Sequence, residues 1–362
     1  MKTKINLVMI VKNEQEKLER CLKSVKDIVN EIIIIDTGSI DKTKHIASKY
    51  NALIYDYMWD NDFSNARNFG LEKSDSDWNL ILDADEYIVD IDYNKLNLFL
   101  KQKEKRIGTI KILNLFEKNN ETMTSQSFVS RLAPQGIFFK GKIHEQLKSN
   151  YDREYCGITI EHDGYLDKSK KIDRNISLLL EELKYKSDDS YILYQIAKTY
   201  YVASDFENAS IYFKDFYKVK DYDRDNFLRD GVISYLYTII KTKEFEEGLK
   251  IINENFDIFC EYPDFYFVCG VFFTEIVAYD LQKYSCYFEN IELCYLNAIR
   301  LGESEECDVV RGTGSYLAYF NLGIYYELLG AKDTALKYYK ESAKLGYKPA
   351  ILKVKKTDAS FS

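Results

Sequence analysis

The stretch Trp78-Asn79-Leu80-Ile81-Leu82-Asp83-Ala84-Asp85-Glu86 constrains this chain more than any other. Leu80 to Leu82 is apolar but too short for a helix of its own, so it reads as a buried strand ending at Asp83. A buried strand holds no charge in its interior, which puts Asp83 and Asp85 at its mouth. In an extended chain residues i and i+2 point the same way, so both acids are expected to face one cleft. Hard oxygen donors with room left for phosphate oxygens suit Mg2+ or Mn2+. Standing alone, the same acids would simply be solvated turn residues that stop the strand, so the flanking segments have to decide.

Upstream, apolar runs alternate with helical periodicity. Ile5 to Val11 reads as a strand, Gln15 to Lys26 as a helix with Leu18, Leu22 and Val25 on one face, and Glu31 to Ile35 as a β-branched strand ending at Asp36. Asp41 caps a helix from Lys42 to Tyr50, Leu53 to Tyr57 is a third strand, and Phe63 to Leu71 a third helix. This alternation is the pattern of a parallel sheet wrapped by helices, which binds ligands at the carboxyl ends of its strands. Asn13, Glu14, Asp36, Asp83 and Asp85 sit at those ends. There is no GxGxxG or Walker A sequence, which excludes an ordinary dinucleotide or P-loop domain.

Three segments together resemble the opening of the family 2 glycosyltransferases of the GT-A fold. They are Val8-Met9-Ile10-Val11-Lys12-Asn13-Glu14, Ile35-Asp36-Thr37-Gly38-Ser39-Ile40-Asp41-Lys42-Thr43, and Asp83-Ala84-Asp85-Glu86. The resemblance implies that Val11, Glu14 and Asp36 line the nucleotide site. It implies that Asp83 lies near the sugar and ribose, and that Asp85 ligates a divalent metal on the sugar-nucleotide diphosphate. Arg67 lies in Asp62-Phe63-Ser64-Asn65-Ala66-Arg67-Asn68, a DFSxARN run that recurs in a branch of the family. Its guanidinium can fork onto phosphate or a base carbonyl; the bland alternative is a surface pair with Asp62 or Glu72.

Further along, Ile107 to Phe116, Phe128 to Leu132 and Gly157 to Glu161 read as strands. Two of the chain's three histidines lie among them, in Lys140-Gly141-Lys142-Ile143-His144-Glu145 and His162-Asp163-Gly164-Tyr165. Sugar transfer with inversion needs one general base beside the anomeric carbon, and either Glu145 or His144 has the chemistry to take a proton from a thiol or hydroxyl. Structural histidines at strand ends are the plain alternative. The two motifs resemble the branch that contains the sublancin-type peptide S-glycosyltransferases. That resemblance implies Glu145 as base, His162 as metal or diphosphate contact, and His144 as the residue positioning either.

After Asp173 the period becomes helical. Tyr194, Ala197, Tyr201, then Ala209 and Phe213, are matched by Tyr319, Gly323, Tyr326, then Ala335 and Tyr339. Small residues where helices cross, with aromatics beside them, are what stacked helical hairpins need, and the pattern looks like tetratricopeptide repeats. Leu236, Gly248 and Ile252 fit a degenerate copy, and Tyr266 to Tyr279 with Glu289 to Leu301 a further pair. The 31 tyrosines, concentrated in this half, read as the packing of such a scaffold.

The expected fold is therefore an α/β GT-A, Rossmann-like nucleotide-diphospho-sugar transferase domain over 1–170, an all-α tetratricopeptide-like helical repeat domain over 171–352, and a C-terminal tail over 353–362. A net charge of -8 argues against nucleic acid as a partner. No apolar run approaches a membrane span, and Met1 to Lys4 has no signal-peptide shape. Seven scattered cysteines without a CxxC pair suit a reducing compartment, so a cytoplasmic location is expected. The resulting expectation is an inverting, metal-dependent hexosyltransferase using a UDP-linked or similar donor. Its acceptor would be a Cys or Ser of a ribosomal peptide such as a bacteriocin precursor, or alternatively a cell-envelope or lipid-linked glycan. The resemblance also implies a homodimer through the repeats; a non-catalytic repeat scaffold is the rival from another class.

Overall fold

A computed structural model describes residues 3–118, 121–163, 169–222, 227–305 and 307–360. The chain divides into two compact units, Met1–Lys171 and Ile172–Ser362.

In the first unit β1 (Ile5–Val11), β2 (Glu31–Asp36), β3 (Leu53–Asp56) and β4 (Trp78–Ile81) alternate with α1 (Leu18–Val25), α2 (Thr43–Lys49) and α3 (Phe63–Glu72). β5 (Glu86–Ile91), α4 (Tyr93–Leu100), β6 (Ile107–Lys118), β7 (Glu121–Pro134), the short pair β8 (Phe139–Lys140) and β9 (Gln146–Leu147), and β10 (Arg153–His162) follow. The main sheet of this unit runs β3-β2-β1-β4-β7-β6-β10-β5. The β-branched runs are continuous because both faces of the sheet are covered. Leu7, Met9, Ile32 and Ile34 pack with Leu18, Leu22 and Val25 of α1, while Val8, Ile33 and Ile35 pack on the opposite face with Leu71 of α3. Ile33, Ile34 and Ile35 are wholly buried, each contributing about 1.5–3 kcal/mol by the usual transfer scale. Register sets the site: Val11 lies beside Asp36, and Val8 beside Ile81, so the ends of β1, β2 and β4 share one edge.

The sheet is mixed rather than wholly parallel. β1 to β4 are parallel neighbours, but β7 runs antiparallel to β4 and to β6, and β5 antiparallel to β10. β4 stops at Ile81, two residues short of the expected end at Asp83. Asp83-Ala84-Asp85-Glu86 then makes a turn closed by the Glu86 N–H donating to the Asp83 carbonyl at 3.0 Å. The i, i+2 rule for extended chain therefore does not hold across Asp83 and Asp85. β5 and α4 were not expected, and β7 begins at Glu121 instead of Phe128. α1 starts at Leu18 rather than Gln15, after a turn through Gln15 to Lys17.

The second unit is helical, from α5 (Ser169–Leu183) onward. α6 (Ser190–Val202) and α7 (Phe206–Val219), α8 (Leu228–Thr242) and α9 (Phe245–Asn255), and α13 (Tyr316–Leu328) and α14 (Lys332–Lys344) are hairpins. α10 (Pro263–Tyr279) and α12 (Phe288–Leu301) form a fourth pair, with α11 (Leu281–Tyr284) and a 3-10 turn between them. The first and last hairpins repeat in detail. Tyr200 stacks on Tyr212 at 5.6 Å and Tyr326 on Tyr338 at 5.5 Å, and the connecting turns place Ser204 and Gly330 in left-handed backbone at φ 63° and 74°. This is the tetratricopeptide-like pattern the aromatic spacing led us to expect. α15 (Lys348–Ser360) runs through residues 353–360 of the segment expected as a C-terminal tail. Among the described residues no helix is long and apolar enough to cross a membrane.

Candidate active site

The site grows from three turns at the carboxyl edge of β1, β2 and β4. Asn13 adopts left-handed backbone at φ 57°, donates its N–H to Ser39 Oγ at 2.9 Å and accepts the Ile40 N–H on its side-chain oxygen at 2.9 Å. The Glu14 N–H donates to Thr43 Oγ1 at 2.8 Å. The loops after β1 and β2 are thus tied together. The cap position of α2 is Lys42 rather than the expected Asp41, which lies one residue earlier and accepts the Thr43 N–H at 2.9 Å.

Asp36 is fully buried. Its Oδ1 accepts the N–H groups of Gly38 and Ser39 at 2.9 and 2.8 Å, with Lys44 Nζ at 3.8 Å. Its Oδ2 is buried with no hydrogen-bond partner. An unpaired buried carboxylate oxygen costs free energy unless a donor group meets it, as a nucleotide base N–H or ribose hydroxyl would. Val11 is buried beside it, its carbonyl accepting from the Thr37 N–H and hydroxyl at 3.0 and 3.1 Å. Glu14 lies half-buried at the same edge.

Every polar residue of the DFSxARN run has a task. Asp62 caps α3 by accepting the Asn65 N–H at 3.0 Å. The Ser64 hydroxyl donates to the Gly141 carbonyl at 2.5 Å, and Asn68 makes a reciprocal pair with the Phe139 backbone at 2.8 and 3.0 Å. These bonds staple the 139–142 segment to α3 and bring Glu145 against Arg67. Arg67 is buried and pairs with neither Asp62 nor Glu72. Its Nε donates to Glu145 Oε1, and its Nη2 to Asp83 Oδ1 at 2.8 Å.

Asp83 meets a second cation. Arg131 Nη2 donates to Asp83 Oδ2 at 3.1 Å and to Glu86 Oε1 at 2.7 Å, while Glu86 Oε2 accepts the Asp83 N–H at 2.9 Å. Burial alone would raise the Asp83 pKa, but the Arg67 and Arg131 guanidiniums overcome it and hold the carboxyl well below its ordinary range. Glu86 goes the other way, because its burial, aided by the charge on Asp83, outweighs Arg131. Arg131 was missed from sequence. It is an ordinary polar position within a strand, and its partners lie more than forty residues away.

Asp85 faces a different group. His162 Nε2 lies 3.6 Å from Asp85 Oδ2, and Lys17 Nζ 3.9 Å from the same oxygen. His162 Nδ1 is 2.9 Å from Asn114 Oδ1. The amide oxygen can only accept, so Nδ1 carries a proton, and Nε2 is the ring nitrogen that faces Asp85. Burial lowers the His162 pKa, but the Asp85 hydrogen bond and the charges of Asp85, Glu86 and Asp83 outweigh it and raise the value. A carboxylate oxygen and an imidazole nitrogen at this spacing fit Mg2+ or Mn2+, which complete their shells with water and phosphate oxygens. Among the described residues no group of three or more His, Cys, Asp or Glu could hold a metal ion.

His144 has left-handed backbone at φ 49°, and burial lowers its pKa, leaving it neutral near pH 7. Gly164 and Tyr165 of the second histidine motif lie outside the described residues.

Residues 7–163 match the family model described as glycosyl transferase family 2. The chain is 40% identical over 129 residues to a TPR repeat-containing protein of Synechococcus elongatus, covering 36% of this chain and 30% of that one. It is 28% identical over 235 residues to the SPbeta prophage-derived glycosyltransferase SunS of Bacillus subtilis, covering 57% of this chain and 51% of that one. The chain thus spans about half or less of the length of these curated relatives. Among solved structures, S. aureus TarS in complex with UDP covers 66% of this chain and 81% of its own at 12% identity and a TM-score of 0.36, too distant to carry an argument.

Proposed function

With residues 7–163 forming a glycosyl transferase family 2 domain, we propose that the chain transfers a hexose from a nucleoside-diphosphate sugar, with UDP as the favoured nucleotide, to an acceptor with inversion at the anomeric carbon. The observation that carries this reading is the Asp85–His162 pair, 3.6 Å apart, at the sheet edge that also holds the unpartnered Asp36 oxygen.

Asp36, Val11 and Glu14 take the nucleoside. Asp85 and His162 would hold Mg2+ or Mn2+, which when bound neutralises charge on the leaving diphosphate. Glu145 takes the proton from the acceptor thiol or hydroxyl. The acceptor atom forms the new bond to the anomeric carbon as the bond to the diphosphate oxygen breaks, and the nucleoside diphosphate departs with that electron pair. Arg67 orients Glu145 and links it to Asp83. Because both Asp83 oxygens are engaged by arginines, we assign Asp83 to holding this frame beside the sugar rather than to the metal. His144, neutral and next in the chain, positions Glu145.

The favoured acceptor is a Cys or Ser of a ribosomal peptide, with an envelope or lipid-linked glycan as the competing one. The helical repeats would present the acceptor or pair two copies of the chain; Leu328, Leu345 and Leu352 are exposed apolar side chains on the last repeats. All seven cysteines are free thiols, which suits the reducing cytoplasm.

The test is incubation of the purified chain with a panel of UDP and GDP sugars, with and without Mn2+. One donor should be consumed in a Mn2+-dependent way. Glu145→Gln should lower turnover about 10²- to 10⁴-fold with donor affinity nearly unchanged. No consumption of any donor, together with no nucleotide binding, overturns the reading.

A further inference from the structure

Lys17 is a cation beside the proposed metal site that the scheme above does not use. It lies at the end of the turn that leads into α1, and its backbone is fixed: the Lys17 N–H donates to the Glu14 carbonyl at 3.2 Å, and Glu14 is in turn tied to Thr43. The side chain is engaged only at longer range. Its ammonium lies 3.9 Å from Asp85 Oδ2 and 3.8 Å from Asp163 Oδ1, both beyond hydrogen-bond length, and its side chain is 30% exposed. Among the described residues it makes no closer polar contact. Arg20, one turn along, is the contrast. It is committed to Asp163 at 2.6 Å and lies 3.9 Å over the Tyr87 ring.

We propose that Lys17 is a further donor-binding residue, which balances Asp85 when no metal is present and turns its ammonium onto the donor diphosphate when metal and donor arrive. The proposal rests on reading this edge as the nucleotide-sugar site. Charge supports it. Asp85 and Asp163 bring two negative charges, Arg20 answers Asp163, and Lys17 answers Asp85. A divalent cation arriving at Asp85 displaces Lys17 electrostatically, since like charges so close repel. The freed ammonium has three N–H donors, and a diphosphate gaining negative charge as its sugar leaves is the strongest acceptor within reach.

The two roles give opposite signs, which separates them from a structural one. Lys17→Met keeps the aliphatic stem and loses the charge. Titrated with Mn2+ alone, it should bind the ion at least as tightly as the unmodified chain, because the competing cation is gone. Titrated with UDP or GDP in the presence of Mn2+, it should lose about tenfold or more in affinity, as expected for a charge-assisted hydrogen bond. The matching nucleoside monophosphate should bind within twofold of the unmodified chain. Lys17→Arg should recover most of the diphosphate affinity. Equal losses for mono- and diphosphate, a parallel loss of Mn2+ binding, or no loss at all would overturn the assignment of Lys17 while leaving the donor site standing. Failure of the unmodified chain to bind any nucleoside diphosphate would overturn the donor reading and Lys17's role with it.

Discussion

Arg131 shows how much one side chain can hold in place. It satisfies Asp83 and Glu86 together, and through Asp83 it is joined to Arg67 and Glu145. Removing it leaves two carboxylates with one fewer cation between them. Breaking a buried pair in this way costs about 3–5 kcal/mol. Asp83 is partly exposed, which places the expectation for Arg131→Met at the lower end, about 3 kcal/mol. Both tryptophans, Trp59 and Trp78, lie in the first unit, so tryptophan fluorescence reports its unfolding. The fluorescence midpoint in urea should fall for Arg131→Met and partly recover in Arg131→Lys; an unchanged midpoint would show that the network adds nothing to stability. The residues legible in sequence here were those next to recognisable breaks: Asp36, Asp83 and Asp85 end apolar runs, and Arg67 lies in a dense polar run. Arg131, Asn114 and Lys17 were not legible, because their roles come from partners brought near by strand pairing or helix placement.

At the scale of elements, the hairpins of the second unit rest on close helix crossings. A Cβ added at Gly323 would lie 2.4 Å from the Tyr339 ring, and one at Gly248 would lie 2.3 Å from Phe272. Gly323→Ala gains helix propensity of up to about 1 kcal/mol but forces α13 from α14, at a typical overpacking cost of about 1–3 kcal/mol. A net loss of up to about 2 kcal/mol should lower the midpoint followed by far-UV circular dichroism, while the tryptophan transition stays in place. Stability equal to the unmodified chain would mean that these helices do not pack as closely as described. The small-residue and aromatic spacing was readable because helical repeats bury the same positions in each copy. β1, β2 and β4 were readable because a strand covered on both faces is apolar throughout. β5 and the early part of β7 were not: Glu86-Tyr87 and Thr122-Met123-Thr124-Ser125-Gln126 mix polar and apolar residues, and only their pairing with β10 and β6 makes them strands.

Over the whole molecule, the first unit builds its cores on the two faces of the sheet and the second builds one continuous aromatic core along its helices. At one edge of the first unit a turn sets two carboxylates two positions apart among different partners. Asp83 is held between arginines, and Asp85 is set beside His162. That division is the central claim, and nucleotide binding tests it most directly. Calorimetric titration of UDP and GDP, with and without Mn2+, should show an affinity raised about tenfold or more by the ion in the unmodified chain. The gain should vanish in Asp85→Ala, which stays folded. A Mn2+-dependent gain that survives in Asp85→Ala would contradict the account.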